Sequence, residues 1–89
     1  MKSNEDYAYQ YAKIRGLNDT DAHVFAYLWV RRFKDKAARL KHRILQNTID
    51  VNWTDYEDEW LERIKYKRFY SADSTTLKIW KNAIKKYGG

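Results

Sequence analysis

The chain contains no proline, and its three glycines stand at positions 16, 88 and 89. Proline removes a helical hydrogen bond and glycine relaxes the backbone, so between Leu17 and Tyr87 no residue type forces a helix to stop. Apolar residues recurring every three or four positions then decide the fold class. They predict an all-α chain, a small compact bundle of about four helices that includes one long basic amphipathic helix, with residues 1–89 forming a single helical domain.

The first helix is expected from Asn4 to Arg15. Ser3 is a good N-cap, and Glu5 and Asp6 suit the first turn. Tyr7, Tyr11 and Ile14 share a face, and Gly16 supplies a left-handed stop over which Leu17 packs back. The second helix is expected from Asp19 to Gln46, capped by Asn18 or Thr20. Its stripe is Ala26, Trp29, Phe33, Ala37, Leu40 and Ile44, widened by Phe25, Leu28, Val30 and Leu45. Such a length is unusual in a globular protein, and Lys34–Lys36 is the place where a break fits best. Residues 47–52 read as a connector.

A third helix is expected from Thr54, which makes a Ser/Thr-x-x-Glu capping box with Glu57. Tyr56, Trp60, Leu61 and Ile64 form its face, and it turns by Tyr70. Ser71, Asp73 and Ser74 are caps for a fourth helix to Tyr87, with Leu77, Trp80, Ile84 and Tyr87 inward and Gly88 as the stop. The 89 residues include no cysteine, so packing must hold the fold; four Trp, three Phe and eight Tyr supply the area.

The charge is segregated. The net charge is +6, made of −1 over residues 1–21, zero over 22–30, +6 over 31–43, −6 over 44–62 and +7 over 63–89. The block RRFKDKAARLKHR holds seven Lys or Arg. On a continuous helix Arg32, Lys36, Arg39 and Arg43 would stack along one side for roughly 16 Å. Two readings stand side by side: a face for polyanions, or a face neutralised by the acidic 44–62 block folding across it.

Enzymatic patterns are missing. There is no zinc-binding HExxH, no phosphate loop and no cysteine nucleophile. His23 and His42 read as surface or packing residues. Asp55, Asp58 and Glu62, with Glu59 beside them, form the only carboxylate cluster. Their place at the start of a helix whose end carries Arg63, Lys65, Lys67 and Arg68 is what the helix dipole favours. The same dipole accounts for Lys81, Lys85 and Lys86 at the end of the fourth helix. Tyr9, Tyr27, Tyr66 and Tyr70 fall off the main stripes and suit surface contact. Within AKIRGLNDTDA, Ala12, Gly16 and Leu17 fall at spacings that resemble a helix-turn-helix. Arg15 stands where that motif has an apolar residue, however, and Asp19 and Asp21 open the second helix. The segment therefore reads as a plain helical hairpin.

The leading expectation is a small non-enzymatic protein that meets DNA or RNA phosphates. It would use Arg32, Lys36, Arg39 and Arg43, supported by Arg31 and Lys41, and draw affinity from counterion release. The alternative is a protein-interaction module, such as a small regulator or inhibitor of a larger assembly, meeting an acidic protein surface; Tyr, Trp and Arg suit such interfaces. Opposed charge blocks also allow self-association into a homo-oligomer. No catalytic residue, metal site or cofactor is expected. The opening MKSNEDYAYQ has no apolar signal core and no run spans a membrane, so a cytoplasmic protein is the expectation.

Overall fold

The computed structural model describes residues 2–46, 56–70 and 72–88. Among them the chain is all-helical. Helix α1 is Asn4–Ile14 and α2 Asp19–Arg32, followed by a 3-10 turn at Lys34–Lys36; then come α3 at Ala37–Leu45, α4 at Tyr56–Lys65 and α5 at Ser74–Tyr87. None of these helices is long and apolar enough to cross a membrane.

The ends are built by local chemistry. Ser3 Oγ accepts the Asp6 amide at 3.2 Å while Asp6 Oδ2 accepts the Ser3 amide at 3.0 Å, a reciprocal cap. Gly16, with φ of 96°, closes α1. Its amide donates to the Lys13 carbonyl, and the Leu17 amide donates to the Ala12 carbonyl, the paired bonds of a Schellman ending. Asn18 caps α2 through the Asp21 amide, and Asp73 caps α5 through the Thr76 amide. Helix α4 ends by the same paired bonds as α1, but Lys67 holds the left-handed position, with φ of 56°. The expected Thr54 cap and the 47–52 connector lie outside the described residues.

The long second helix is two helices. Phe33 leaves helical geometry at φ −121° and ψ 50°, and the chain resumes as α3 after one tight turn. The break falls at the position favoured by sequence, but its cause is tertiary. A straight helix over residues 19–46 would be about 42 Å long, whereas the molecule is 33 Å in its longest dimension. Folding back lets α3 pack against α1. It also sets the Phe33 ring 4.8 Å from Trp29, 5.2 Å from Tyr56 and 5.4 Å from Trp60.

From there an aromatic chain runs through the core. Phe25 meets Trp29 at 5.3 Å, Trp60 meets Trp80 at 5.9 Å, and Trp80 meets Phe69 at 4.1 Å, spacings at which ring pairs attract. Leu28, Leu40, Leu61 and Ile64 fill the remainder, all buried.

Three expected faces are rotated. In α1 the buried set is Ala8, Tyr11 and Ala12, while Ile14 is 54% exposed; small alanines let α1 lie closely on α2. In α5 Thr76, Trp80 and Ala83 are buried, and Leu77, Ile84 and Tyr87 lie only part-buried beside them. In α3 Ala37 and Leu40 are buried as expected, but Arg43 joins them and Leu45 is exposed.

A Cβ on Gly16 would meet nothing within 4 Å, so Gly16→Ala tests backbone strain alone. It should cost about 1–2 kcal/mol in urea unfolding with the fold retained. The backbone hydrogen bonds from Ser3 to Asp6 and from Thr76 to Asp73 hold both carboxyls below their ordinary range. A depressed folded value stabilises the protein above the unfolded value of about 3.9, and that stability drains as pH falls through the folded values. Asp73→Asn keeps a capping oxygen but cannot titrate. It should shallow the decline below about pH 4 in a pH series of urea midpoints.

Candidate nucleic-acid interface

The helix break divides the expected basic stripe. Arg32, at the end of α2, donates to Thr76 Oγ1 at 2.8 Å and to Asp73 Oδ2 at 3.2 Å, fastening α2 to the start of α5. Arg31 pairs with Glu5 at 2.9 Å and lies 3.7 Å over the Tyr27 ring. Lys36 sits 3.8 Å from Asp35 and 5.1 Å from the Tyr56 ring. On α3, Arg39 and Arg43 both meet Glu57 Oε1, at 3.4 and 2.7 Å. Lys41 is exposed, 5.5 Å from the Tyr7 ring.

Among the described residues the acidic 44–62 block neutralises two of these bases, Arg39 and Arg43, while Arg31, Arg32 and Lys36 meet acids outside it. In α4 Glu57 and Asp58 are fully buried and meet the other helices. Asp58 Oδ1 accepts the Tyr11 hydroxyl at 2.5 Å and Arg15 Nη1 at 3.0 Å. Arg43 also lies 5.1 Å from the Tyr11 ring. Together Tyr11, Arg15, Arg43, Glu57 and Asp58 make a buried polar network joining α1, α3 and α4, with Arg39 at its rim. Burial, and then the bond to Asp58, push the Tyr11 hydroxyl far above its ordinary value, so it remains a donor. The outward acids pair within their own segment, Glu59 with Arg63 at 3.2 Å and Glu62 with Arg68 at 2.9 Å. Asp50 and Asp55 lie outside the described residues.

A division of labour follows. All seven arginines of the chain, Arg15, Arg31, Arg32, Arg39, Arg43, Arg63 and Arg68, meet a carboxylate. Among the described residues, positive charge that faces solvent without such a partner is lysine. It is concentrated on α5, where Ser74–Tyr87 contains no acid. Lys78, Lys81 and Lys85 are exposed and recur at i, i+3 and i+7, a row about 10 Å long.

A second surface feature crosses α2. His23 stacks between Tyr9 of α1 and Tyr87 of α5, with ring centroids 4.4 and 4.9 Å apart and planes 25° and 9° from parallel. Tyr27 meets Tyr87 edge-on at 6.2 Å. The Tyr9 hydroxyl donates to Asp19, a bond that raises the Tyr9 value and lowers that of Asp19. On the outer side of α1, Tyr9 lines an open groove of about 610 Å³ with Lys2, Asp6, Gln10 and Lys13. Among the described residues no three His, Asp or Glu converge as a metal site.

Sequence reasoning had a clue to one of these features. Arg15 stands out as a charge where a helix-turn-helix has an apolar residue, and it is buried against Asp58. Of the α5 row, the sequence reading takes Lys81 and Lys85 as dipole-compensating charges and gives Lys78 no role. The three-ring stack joins residues from three helices and left no local pattern.

Glu57→Gln removes the charge facing Arg43 while keeping the shape. Stability should fall by about 3–5 kcal/mol, the usual cost of stranding one member of a buried ion pair. Arg39→Ala, at a half-exposed position, should cost no more than about 1 kcal/mol in the same urea titration.

Comparison of the chain with protein-family models, with curated proteins and with solved structures finds no match.

Proposed function

We propose that this is a small non-enzymatic nucleic-acid-associated protein that holds phosphates on the lysine face of α5. The observation that carries the reading is Lys78. It is the fifth residue of α5, far from the C-terminal turn where the dipole favours a cation, and Lys81 lies mid-helix. The dipole accounts for Lys85 and Lys86 but not for these two. No carboxylate of the described residues pairs with Lys78, Lys81 or Lys85. A row of about 10 Å matches about three phosphates along one strand, which rise about 3.4 Å each. Ammonium groups act as point charges without the planar fork of guanidinium, so the contact is to backbone rather than to base edges. Lys34 and Lys41, both exposed, add to the surrounding field. The bases of the 31–43 block serve this reading less, since Arg31, Arg32, Arg39 and Arg43 already face carboxylates.

A second reading, a protein-interaction module, is favoured by a different observation. Ile14, Leu45, Tyr66 and Tyr70 are 54%, 63%, 57% and 84% exposed, more apolar and aromatic surface than phosphate contact needs.

Titration of labelled duplex and single-stranded oligonucleotides at two salt concentrations tests the first reading. Binding should weaken steeply with salt. Converting Lys78, Lys81 and Lys85 together to Ala should reduce the slope of log K against log salt by about 3, one unit for each phosphate contact. Absence of binding at low salt would sink this reading and leave the protein partner.

A further inference from the structure

We propose that Asn82 reads adenine in the major groove of double-stranded DNA, with the lysines of α5 holding phosphates on either side of it. This rests on the reading of α5 as a phosphate-binding face and names the nucleic acid that the face takes.

The surface of α5 is almost uniform. Beyond the first turn its exposed residues are Lys78, Lys81, Lys85, Lys86 and Asn82. Asn82 is the neutral member, and cations surround it. Lys78 and Lys86 lie four residues to either side and Lys85 three residues on, the spacings of surface neighbours on a helix. At about 100° per residue, Asn82 sits roughly 40° round the helix from Lys78 in one direction and from Lys86 in the other. The row of Lys78, Lys81 and Lys85 thus occupies one flank of the amide, and Lys86 the other.

The fold does not call for an asparagine there. Asn is a poorer helix former than Lys, because its side chain competes with nearby backbone groups. At a helix end that competition makes a cap, but the caps of α5 are Asp73 and Gly88, and Asn82 stands well inside both. Among the described residues no hydrogen bond engages its side chain. Its carbonyl oxygen and its amide nitrogen are both open to a ligand.

Chemistry selects the ligand. A carboxamide accepts and donates through two atoms side by side. Adenine presents the complement in the major groove, an N6 donor beside the N7 acceptor. Guanine offers two acceptors there. The lysines alone supply charge without that discrimination.

Geometry selects the form of the strand. Lys78 to Lys86 cover about 12 Å of helix. An α-helix is about 10–12 Å across, and the B-DNA major groove is about 12 Å wide with a phosphate backbone along each edge. A central amide with cations on both flanks suits that cross-section. The major groove of duplex RNA is too deep and narrow for side chains to read. Helix α5 packs on α2 and buries Thr76, Trp80 and Ala83, which leaves its lysine side to enter the groove.

The experiment is fluorescence anisotropy at two salt concentrations, with helicity followed by circular dichroism. The probes are alternating A·T and G·C duplexes of equal length, an A·T duplex whose adenines carry carbon in place of N7, an A·U RNA duplex and a thymidine single strand. Wild type is compared with Asn82→Ala and with the triple α5 lysine variant. Wild type should prefer A·T over G·C by about fivefold or more. Asn82→Ala should lose that preference and keep the wild-type salt slope; it should stay folded, since Ala is the better helix former. Replacing N7 keeps the base pair but removes the acceptor, so it should weaken wild type and leave Asn82→Ala unchanged. Duplex RNA should bind both proteins alike. The triple variant should lose salt slope and keep its preference.

Equal binding of A·T and G·C by wild type, or a preference that survives in Asn82→Ala, overturns the base contact; a reduced slope in the triple variant would still support the phosphate reading. Binding of the single strand without binding of any duplex overturns the base contact alone. No binding of any probe at low salt overturns both.

Discussion

Two carboxylates buried without access to water set the terms for the rest of this structure. Glu57 and Asp58 are adjacent on α4 and wholly enclosed. Charges in such a place are tolerated only when paired and hydrogen-bonded. Their partners come from elsewhere in the chain: Tyr11 and Arg15 from α1, Arg43 from α3. The helix break at Phe33 is therefore more than an accommodation of length. It turns α3 back beside α1, so that Arg43 and Arg15 approach the same short stretch of α4. Two buried oxygens, Glu57 Oε2 and Asp58 Oδ2, find no hydrogen-bond partner among the described residues.

Guanidinium suits that interior work. Its planar fork reaches a carboxylate from a fixed direction and is weakly hydrated, whereas an ammonium holds its water. The arginines accordingly hold helices together. Arg15 and Arg43 act in the core, Arg32 ties α2 to α5 through Asp73 and Thr76, and Arg31 ties α2 to α1 through Glu5. Lysine mostly remains for the surface. Lys67 is an exception, placed in left-handed geometry at the end of α4 and reaching Asp21 of α2.

How much of this was legible in the sequence follows the range of each interaction. Ser3, Gly16, Asn18, Asp73 and Gly88 act on backbone groups a few residues away, and their spacing declares them. The existence of the helices was likewise readable from apolar recurrence. The rotation of α1, which exposes Ile14, was not, because Ala8 and Ala12 compete for the interface through close approach rather than through hydrophobic area. Lys67 gave no sign, since lysine has no left-handed preference. The largest gap concerns the 31–43 block. Spacing placed its bases on one helical side, but what they meet depends on acids far along the chain, Glu57 for Arg39 and Arg43, Glu5 for Arg31 and Asp73 for Arg32, and on a fold-back that no proline or glycine announces.

The separation of arginine from lysine also sorts what a loss of charge does to this molecule. Removing a buried arginine strands a carboxylate and weakens the fold, so lowered binding in such a variant reports stability before it reports contact. Removing Lys78 or Lys81 strands nothing, since neither meets a carboxylate among the described residues, and relieves repulsion along α5. A change in affinity there reports the surface itself. The chain has a net charge of +6, and the positive field around α5 is carried by lysines that meet no carboxylate among the described residues.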